Sequence, residues 1–140
     1  MKSPLIQPYL FFAGRCDEAI EFYGQVLGAK LEMRMRFDES PQPLPPGSIP
    51  DGFGRKVMHA SLRIGNSIVL VSDGRDVGPG FSGFSMSLTY ATAGEARKAF
   101  GALSQGGSVT MPISETFWSP CFGMLKDRFG VEWMIGVGPA

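Results

Sequence analysis

Hydrophobic and polar positions change period several times along the chain, and each change marks an element. Over 5–13 the apolar positions alternate, the two-residue period of a strand. Over 17–27 the period lengthens: Ala19, Phe22, Tyr23, Val26 and Leu27 share one helical face, and Gly28 follows where a C-terminal cap belongs. Residues 30–37 alternate again, with Leu31, Met33, Met35 and Phe37 on one side and Glu32, Arg34 and Arg36 on the other. Packing the apolar side under the helix would turn the charged side inward, toward any cavity the sheet encloses. The segment 38–54 then holds Pro41, Pro43, Pro45, Pro46 and Pro50 with Gly47, Gly52 and Gly54, which no regular element survives. A long loop is predicted there, of the size at which compact domains place lids and binding loops. A hairpin over 56–64 and 67–72 turns at Gly65-Asn66.

After a glycine-rich stretch over 73–83 the same order returns. A strand over 84–90 leads to the T-x-x-E spacing of a capping box at Thr92 and Glu95. Ala96, Ala99, Phe100 and Leu103 continue it as an amphipathic helix that Gly106-Gly107 ends, and strand-like runs follow over 109–113, 120–126 and 131–137. At a constant offset of 77, Glu18-Ala19 matches Glu95-Ala96, Tyr23 matches Phe100 and Gly24 matches Gly101. Two βαβββ modules in tandem are therefore expected, the first about 1–75 and the second about 84–137, joined by a linker over 76–83. That stretch contains Gly78-Pro-Gly-Phe-Ser-Gly83, literally G-x-G-x-x-G. A dinucleotide site would need a helix to start there, because its N-terminus holds the pyrophosphate, and a strand comes next instead.

Composition narrows the function classes. The chain of 140 residues is long enough for a real core, and 44% hydrophobic content excludes a disordered chain. Basic and acidic residues balance at 13 each, so the basic stripe of a nucleic-acid binder is missing. No apolar run approaches the roughly 20 residues of a membrane span, and the first twelve residues lack the pattern of a secretory signal. A cytoplasmic protein with no nucleic-acid or membrane partner is expected. Cys16 and Cys121 lack C-x-x-C spacing and read as free, small buried residues.

Four stretches carry a family resemblance: Tyr9-Leu-Phe-Phe-Ala-Gly14, Glu18-Ala-Ile-Glu-Phe-Tyr23, Met58-His-Ala-Ser-Leu62 and Asp127-Arg-Phe-Gly-Val-Glu-Trp-Met134. With the tandem modules, they resemble the vicinal oxygen chelate superfamily of glyoxalase I, bleomycin-resistance proteins and extradiol dioxygenases, and within it the PhnB-like group. The resemblance implies an α+β fold in which open, curled mixed sheets surround a shared cavity with the helices on the outer face. It also implies a homodimer, since cavities in the superfamily are often completed across subunits. It does not fix an activity, because the superfamily spans isomerases, lyases, dioxygenases and non-catalytic drug binders. A ubiquinone-methyltransferase label attached to some relatives finds no methyl-donor fold in this chain. Metalloenzyme members hold a divalent ion with one residue from the first and one from the last strand of each module. Carried over, these positions fall on Pro8 (or Gln7, one residue earlier), on Val69 or Leu70, near Ser85 and on Met134. At most one is a plausible ligand, so the standard metal site is expected to be missing and no cofactor is expected.

Other chemistry remains for the cavity. Alternation leaves His59, Ser61 and Arg63 facing it from one strand, opposite Met58, Ala60, Leu62 and Ile64, and leaves Glu132 and Met134 facing it from the last strand. His59, the only histidine, is either a hydrogen-bonded sheet residue, a general base with Glu132, or a ligand in an off-pattern metal site with Glu132 and Gln7. Glu132 is equally explained by a salt bridge to an inward arginine. Arg34, Arg36 and Arg63 suit a carboxylate or phosphate, or simply a solvated face. Phe117 and Trp118, in an irregular stretch, suit stacking on a planar ligand or packing in a core or dimer contact. The methionines are expected at strand-core positions, as an adaptable apolar wall. The leading expectation is a protein that binds a small organic ligand; a metal-dependent enzyme and a sequestering protein of the bleomycin-resistance kind are the alternatives.

Overall fold

A computed structural model of the chain describes residues 3–74, 78 and 80–138. The chain divides into two compact units, Met1–Gly80 and Phe81–Ala140. The linker expected over 76–83 lies partly outside the described residues, at 76, 77 and 79.

The first unit runs β1 (Tyr9–Phe11), α1 (Cys16–Leu27), β2 (Lys30–Arg36), a short 3₁₀ turn (Phe37–Glu39), β3 (Val57–Ile64) and β4 (Ser67–Ser72). Its four-stranded sheet has the order β1-β4-β3-β2, with β1 parallel to β4 and the other pairs antiparallel. The second unit repeats this as β5 (Met86–Tyr90), α2 (Ala93–Leu103), β6 (Ser108–Ser114), β7 (Phe122–Lys126) and β8 (Glu132–Val137), in the order β5-β8-β7-β6. Two open mixed sheets, each with one helix, make up the expected pair of βαβββ modules. No described helix is long and apolar enough to cross a membrane.

The helices form where the periodicity places them. Gly28 caps α1 at φ 67°, the left-handed geometry that glycine adopts without a Cβ penalty. Thr92 caps α2 by accepting the Glu95 amide hydrogen bond at 3.2 Å. In the first unit, Ala19, Phe22 and Tyr23 of α1 are buried, as are Leu10, Ala60, Leu62, Val69 and Val71 of the sheet. The repeat at offset 77 has a packing cause: Ala19 and Ala96 are both fully buried, and Tyr23 and Phe100 occupy matching core positions. The G-x-G-x-x-G stretch precedes β5, a strand, so no helix N-terminus follows it.

Three expectations need correction. The first strand spans only Tyr9–Phe11, because Pro8 lacks a ladder donor and Ala13 and Gly14 turn the chain at positive φ. The described methionines are not core residues: none is buried. Met35 lies opposite His59, Met33 opposite Ser61 and Met134 opposite Met124, on the sheet faces away from the buried core residues. Arg34 and Arg36 do not face that side. They lie opposite Ala60 and Val57 on the α1 side of the sheet, because Glu32 forms a bulge that reverses the alternation after Leu31.

Candidate functional site

Three central features of the first unit meet at one end of its uncovered sheet face. On β1, Leu10 points into the core while Tyr9 and Phe11 project the other way, their rings stacked 5.0 Å apart and 12° from parallel. On β3, the buried Ala60 and Leu62 point toward α1, and His59 points away. The third is the proline-rich loop. Its base continues the β2–β3 pairing through Phe37 N to Lys56 O (3.1 Å) and Asp38 N to Gly54 O (2.9 Å), and an ion pair joins Asp38 to Arg55 at 2.9 Å.

The loop's apex contributes Leu44, Pro45, Ser48 and Ile49 to the wall of a cavity of about 340 Å³. Tyr9, Phe11, Phe37, Met58, Ser72 and Gly74 complete that wall. Met58 reaches it because β3 carries a second irregularity between Val57 and His59 that turns the intervening residue out of the core. Gly74, at φ 71°, sits against the Phe11 ring, which would lie 3.4 Å from a side-chain Cβ there.

Tyr9 Oη and His59 Nδ1 are 2.8 Å apart. Burial, and to a lesser degree the Cys16 sulfur, push the Tyr9 phenol above its ordinary value, so it stays protonated at neutral pH. Donation from Tyr9 Oη to Nδ1 of neutral His59 leaves the imidazole proton on Nε2. The Ser48 Oγ is fully enclosed and is the buried side-chain polar atom without a hydrogen-bond partner among the described residues.

The arginines expected to grip an anion are engaged elsewhere. Asp17 of α1 pairs with Arg34 at 3.0 Å and with Arg36 at 2.7 Å, which draws both to the helix side. Arg36 also donates to Arg55 O at 2.7 Å. Arg63, on the His59 face, is paired with Glu32 at 2.9 Å. Ser61 lies on that face too, opposite Met33 and Leu70.

The remaining expected residues belong to the second unit. Trp133 and Ile135 are buried, so Glu132 and Met134 occupy the other face of β8, as their alternation implies. Glu132 lies opposite Lys126 rather than an arginine. Phe117 and Trp118 are surface residues, 97% and 53% exposed, which corrects their reading as core. Trp118 meets Phe117 edge-on at 4.6 Å and Phe122 at 5.4 Å.

The residues at the superfamily's metal positions do not fit a divalent ion. Pro8 offers no side-chain donor, and its carbonyl accepts the Leu70 amide hydrogen bond at 2.9 Å. Val69 and Leu70 are aliphatic and Met134 has only a thioether, which leaves hydroxyl-bearing Ser85. Among the described residues, no group of three or more His, Cys, Asp or Glu side chains is placed to hold a metal ion. Both cysteines are free and buried, and burial, with Asp73 beside it, pushes the Cys16 thiol far above its ordinary value.

Tyr9, Phe11, Phe37, Met58 and Ser48 were not among the expected site residues. Aromatic side chains two positions apart at Tyr9 and Phe11 were the available signal, since that spacing puts both on one face of a strand. Ser48 depends on loop conformation, which no periodicity encodes.

Comparison with known proteins agrees with this architecture. The profile of the Glyoxalase/Bleomycin resistance protein/Dioxygenase superfamily matches residues 5–135. The chain is 36% identical to Protein YjdN of Escherichia coli (strain K12) over 138 residues, covering 94% of each. It is 42% identical to the solved structure of protein PA1353 from Pseudomonas aeruginosa, with a TM-score of 0.84 and coverage of 97% and 98%. A structure from Bacillus cereus, described as a putative 3-demethylubiquinone-9 3-methyltransferase, PhnB protein, is 26% identical with a TM-score of 0.77. It is matched over 96% of this chain and 100% of its own.

Proposed function

Because the chain belongs to the glyoxalase/bleomycin resistance protein/dioxygenase superfamily, we propose that it is a PhnB-like member that binds a small organic ligand in the cavity of its first unit, without the superfamily's metal quartet. The cavity carries this reading. Its volume of about 340 Å³ lies within the roughly 300–1,000 Å³ of ligand sites, and its wall is mostly aromatic and aliphatic with a few polar groups. The Met58 thioether gives part of that wall the adaptability expected of a site that fits a ligand by shape. Methyl transfer is not part of the proposal, since neither βαβββ unit offers the strand-to-helix glycine turn of a nucleotide-binding sheet.

One observation favours a second reading. The Tyr9–His59 bond orients the imidazole beside the cavity wall, and a base so held can take a proton from a bound ligand. In that reading His59→Ala abolishes turnover while leaving ligand affinity nearly intact.

The binding reading is tested with naphthalene as an apolar probe, followed through the Met58 methyl resonance. Phe11→Ala removes an aromatic wall and is expected to weaken binding by about tenfold, the equivalent of roughly 1.4 kcal/mol of lost burial. Trp118→Ala is expected to change it by less than about twofold, well below the roughly tenfold effect of a buried anchor. The opposite ranking would move the site to the exposed aromatics of the second unit and support a sequestering protein.

A further inference from the structure

The cavity wall is chemically one-sided. Tyr9, Phe11 and Phe37 supply aromatic surface, Leu44, Ile49 and Met58 supply aliphatic surface, and no lining residue carries a formal charge. The cations that could have served an anion, Arg34, Arg36 and Arg63, are all held by carboxylates. A carboxylate or phosphonate in this cavity would lose hydration without meeting a counter-charge, a cost of several kcal/mol even after relaxation.

Against this apolar wall stands one unmet polar group. The Ser48 hydroxyl is enclosed with no hydrogen-bond partner, although most buried hydroxyls have one. Ser72, the other lining serine, is satisfied: its Oγ is 3.3 Å from Val57 O and 2.9 Å from Gly74 N. Tyr9 Oη keeps acceptor capacity while donating to His59. Such a wall discriminates between ligands by the polar group that completes it, because an unpaired buried donor or acceptor is costly to leave.

We propose that the cavity takes a neutral, planar aromatic ligand bearing a hydroxyl group, whose ring packs on Tyr9 and Phe11 and whose hydroxyl completes the bonding of Ser48 Oγ. This rests on the reading of the cavity as the binding site and adds the chemical class. The uncharged wall sets neutrality, the stacked pair sets planarity, and the enclosed Ser48 sets the hydroxyl. The loop apex that carries Ser48 thereby becomes the specificity element.

Three probes of one shape separate these terms: naphthalene, 2-naphthol and 2-naphthoate, each titrated at neutral pH against the wild-type chain and Ser48→Ala. Ser48 Oγ makes no hydrogen bond in the free protein, so the variant is expected to fold and to melt no lower than wild type. In wild type, 2-naphthol should bind about tenfold tighter than naphthalene, the scale of one buried hydrogen bond. The carboxylate should bind more weakly than naphthalene. In Ser48→Ala the advantage of 2-naphthol should vanish while naphthalene is unchanged. If naphthalene binds and the hydroxyl adds nothing, or if 2-naphthoate binds tightest, the class falls while the cavity reading stands. Equal weakening of both neutral probes by Ser48→Ala would show that the loop acts through packing alone, and would also overturn the proposal. Failure of all three probes to shift the Met58 methyl would overturn the cavity reading and this inference with it.

Discussion

Asp73 shows how one residue can set the geometry of the site. Its carboxylate is fully buried and accepts three backbone hydrogen bonds, from Gly14 N and Cys16 N at Oδ1 and from Val57 N at Oδ2, each 2.8 Å long. It ties the turn after β1, the first residue of α1 and the start of β3 to the end of β4. Tyr9, Met58 and Gly74 are all within a few residues of those anchor points. Asp73→Asn must turn an amide N–H toward at least one of these donors, and is expected to lower unfolding free energy by about 2–3 kcal/mol. A urea titration measures this, and a loss under about 0.5 kcal/mol would mean that the three bonds are not cooperative. Asp73 passes in the sequence for an ordinary turn residue before glycine; only the fold shows three donors converging on it. The orientation of His59 was legible, because Ala60 and Leu62 on either side of Ser61 fix the buried face of β3. Its bond to Tyr9 was not, since it joins residues 50 positions apart.

Among the elements, β2 shows where periodicity misleads. Both helices and seven of the eight strands lie within a few residues of their expected bounds, because each has a clear apolar face to bury. The eighth, β1, was expected to be three times as long as its three residues. On β2 the alternation from Leu31 to Phe37 is regular in sequence yet broken in space: Leu31 lies opposite Leu62 on the helix side, and Met33 opposite Ser61 on the other. A bulge inserts one residue and exchanges the faces beyond it, and sequence alternation carries no mark of it. Asp17 supplies the compensating charge, pairing with both arginines across the α1–β2 packing.

That pairing has a pH signature. Hydrogen bonding to Arg36 holds the Asp17 carboxyl below the usual carboxylate range. A carboxyl with a lower value folded than unfolded adds stability above its unfolded value, about 4, and loses it as pH falls through the folded value. Asp17 is nearly half exposed, so the contribution stays under about 1 kcal/mol. Asp17→Asn should therefore lower stability slightly at pH 7 and match wild type below about pH 3, well under the ordinary carboxylate value. Stability curves against pH for the two proteins test this; parallel curves down to that pH would show that the ion pairs contribute nothing.

At the scale of the whole molecule, duplication explains why the fold was readable and the chemistry was not. Each unit needs only a βαβββ pattern with small and aromatic residues at matched helix positions, and Ala19 with Tyr23 and Ala96 with Phe100 meet that need twice. The fold constrains the helix-side faces and leaves the opposite faces free to vary. There the superfamily's metal positions carry Pro8, aliphatic residues and Met134, and the residues around them bury apolar surface instead. This substitution is a statement about donors, so it predicts a measurable outcome. Elemental analysis for Zn, Ni, Mn, Fe and Co, on protein purified without tag or chelator, should find well under about one metal per chain, and added Zn²⁺ or Ni²⁺ should not raise the melting temperature by the linkage a specific site would give. A stoichiometric metal that is lost in His59→Ala would mean that donors outside the usual positions have replaced the quartet, and would make an enzyme the leading reading. A metal-free protein whose naphthalene binding is insensitive to chelator would place recognition in the aromatic wall, where Tyr9, Phe11 and Phe37 already gather.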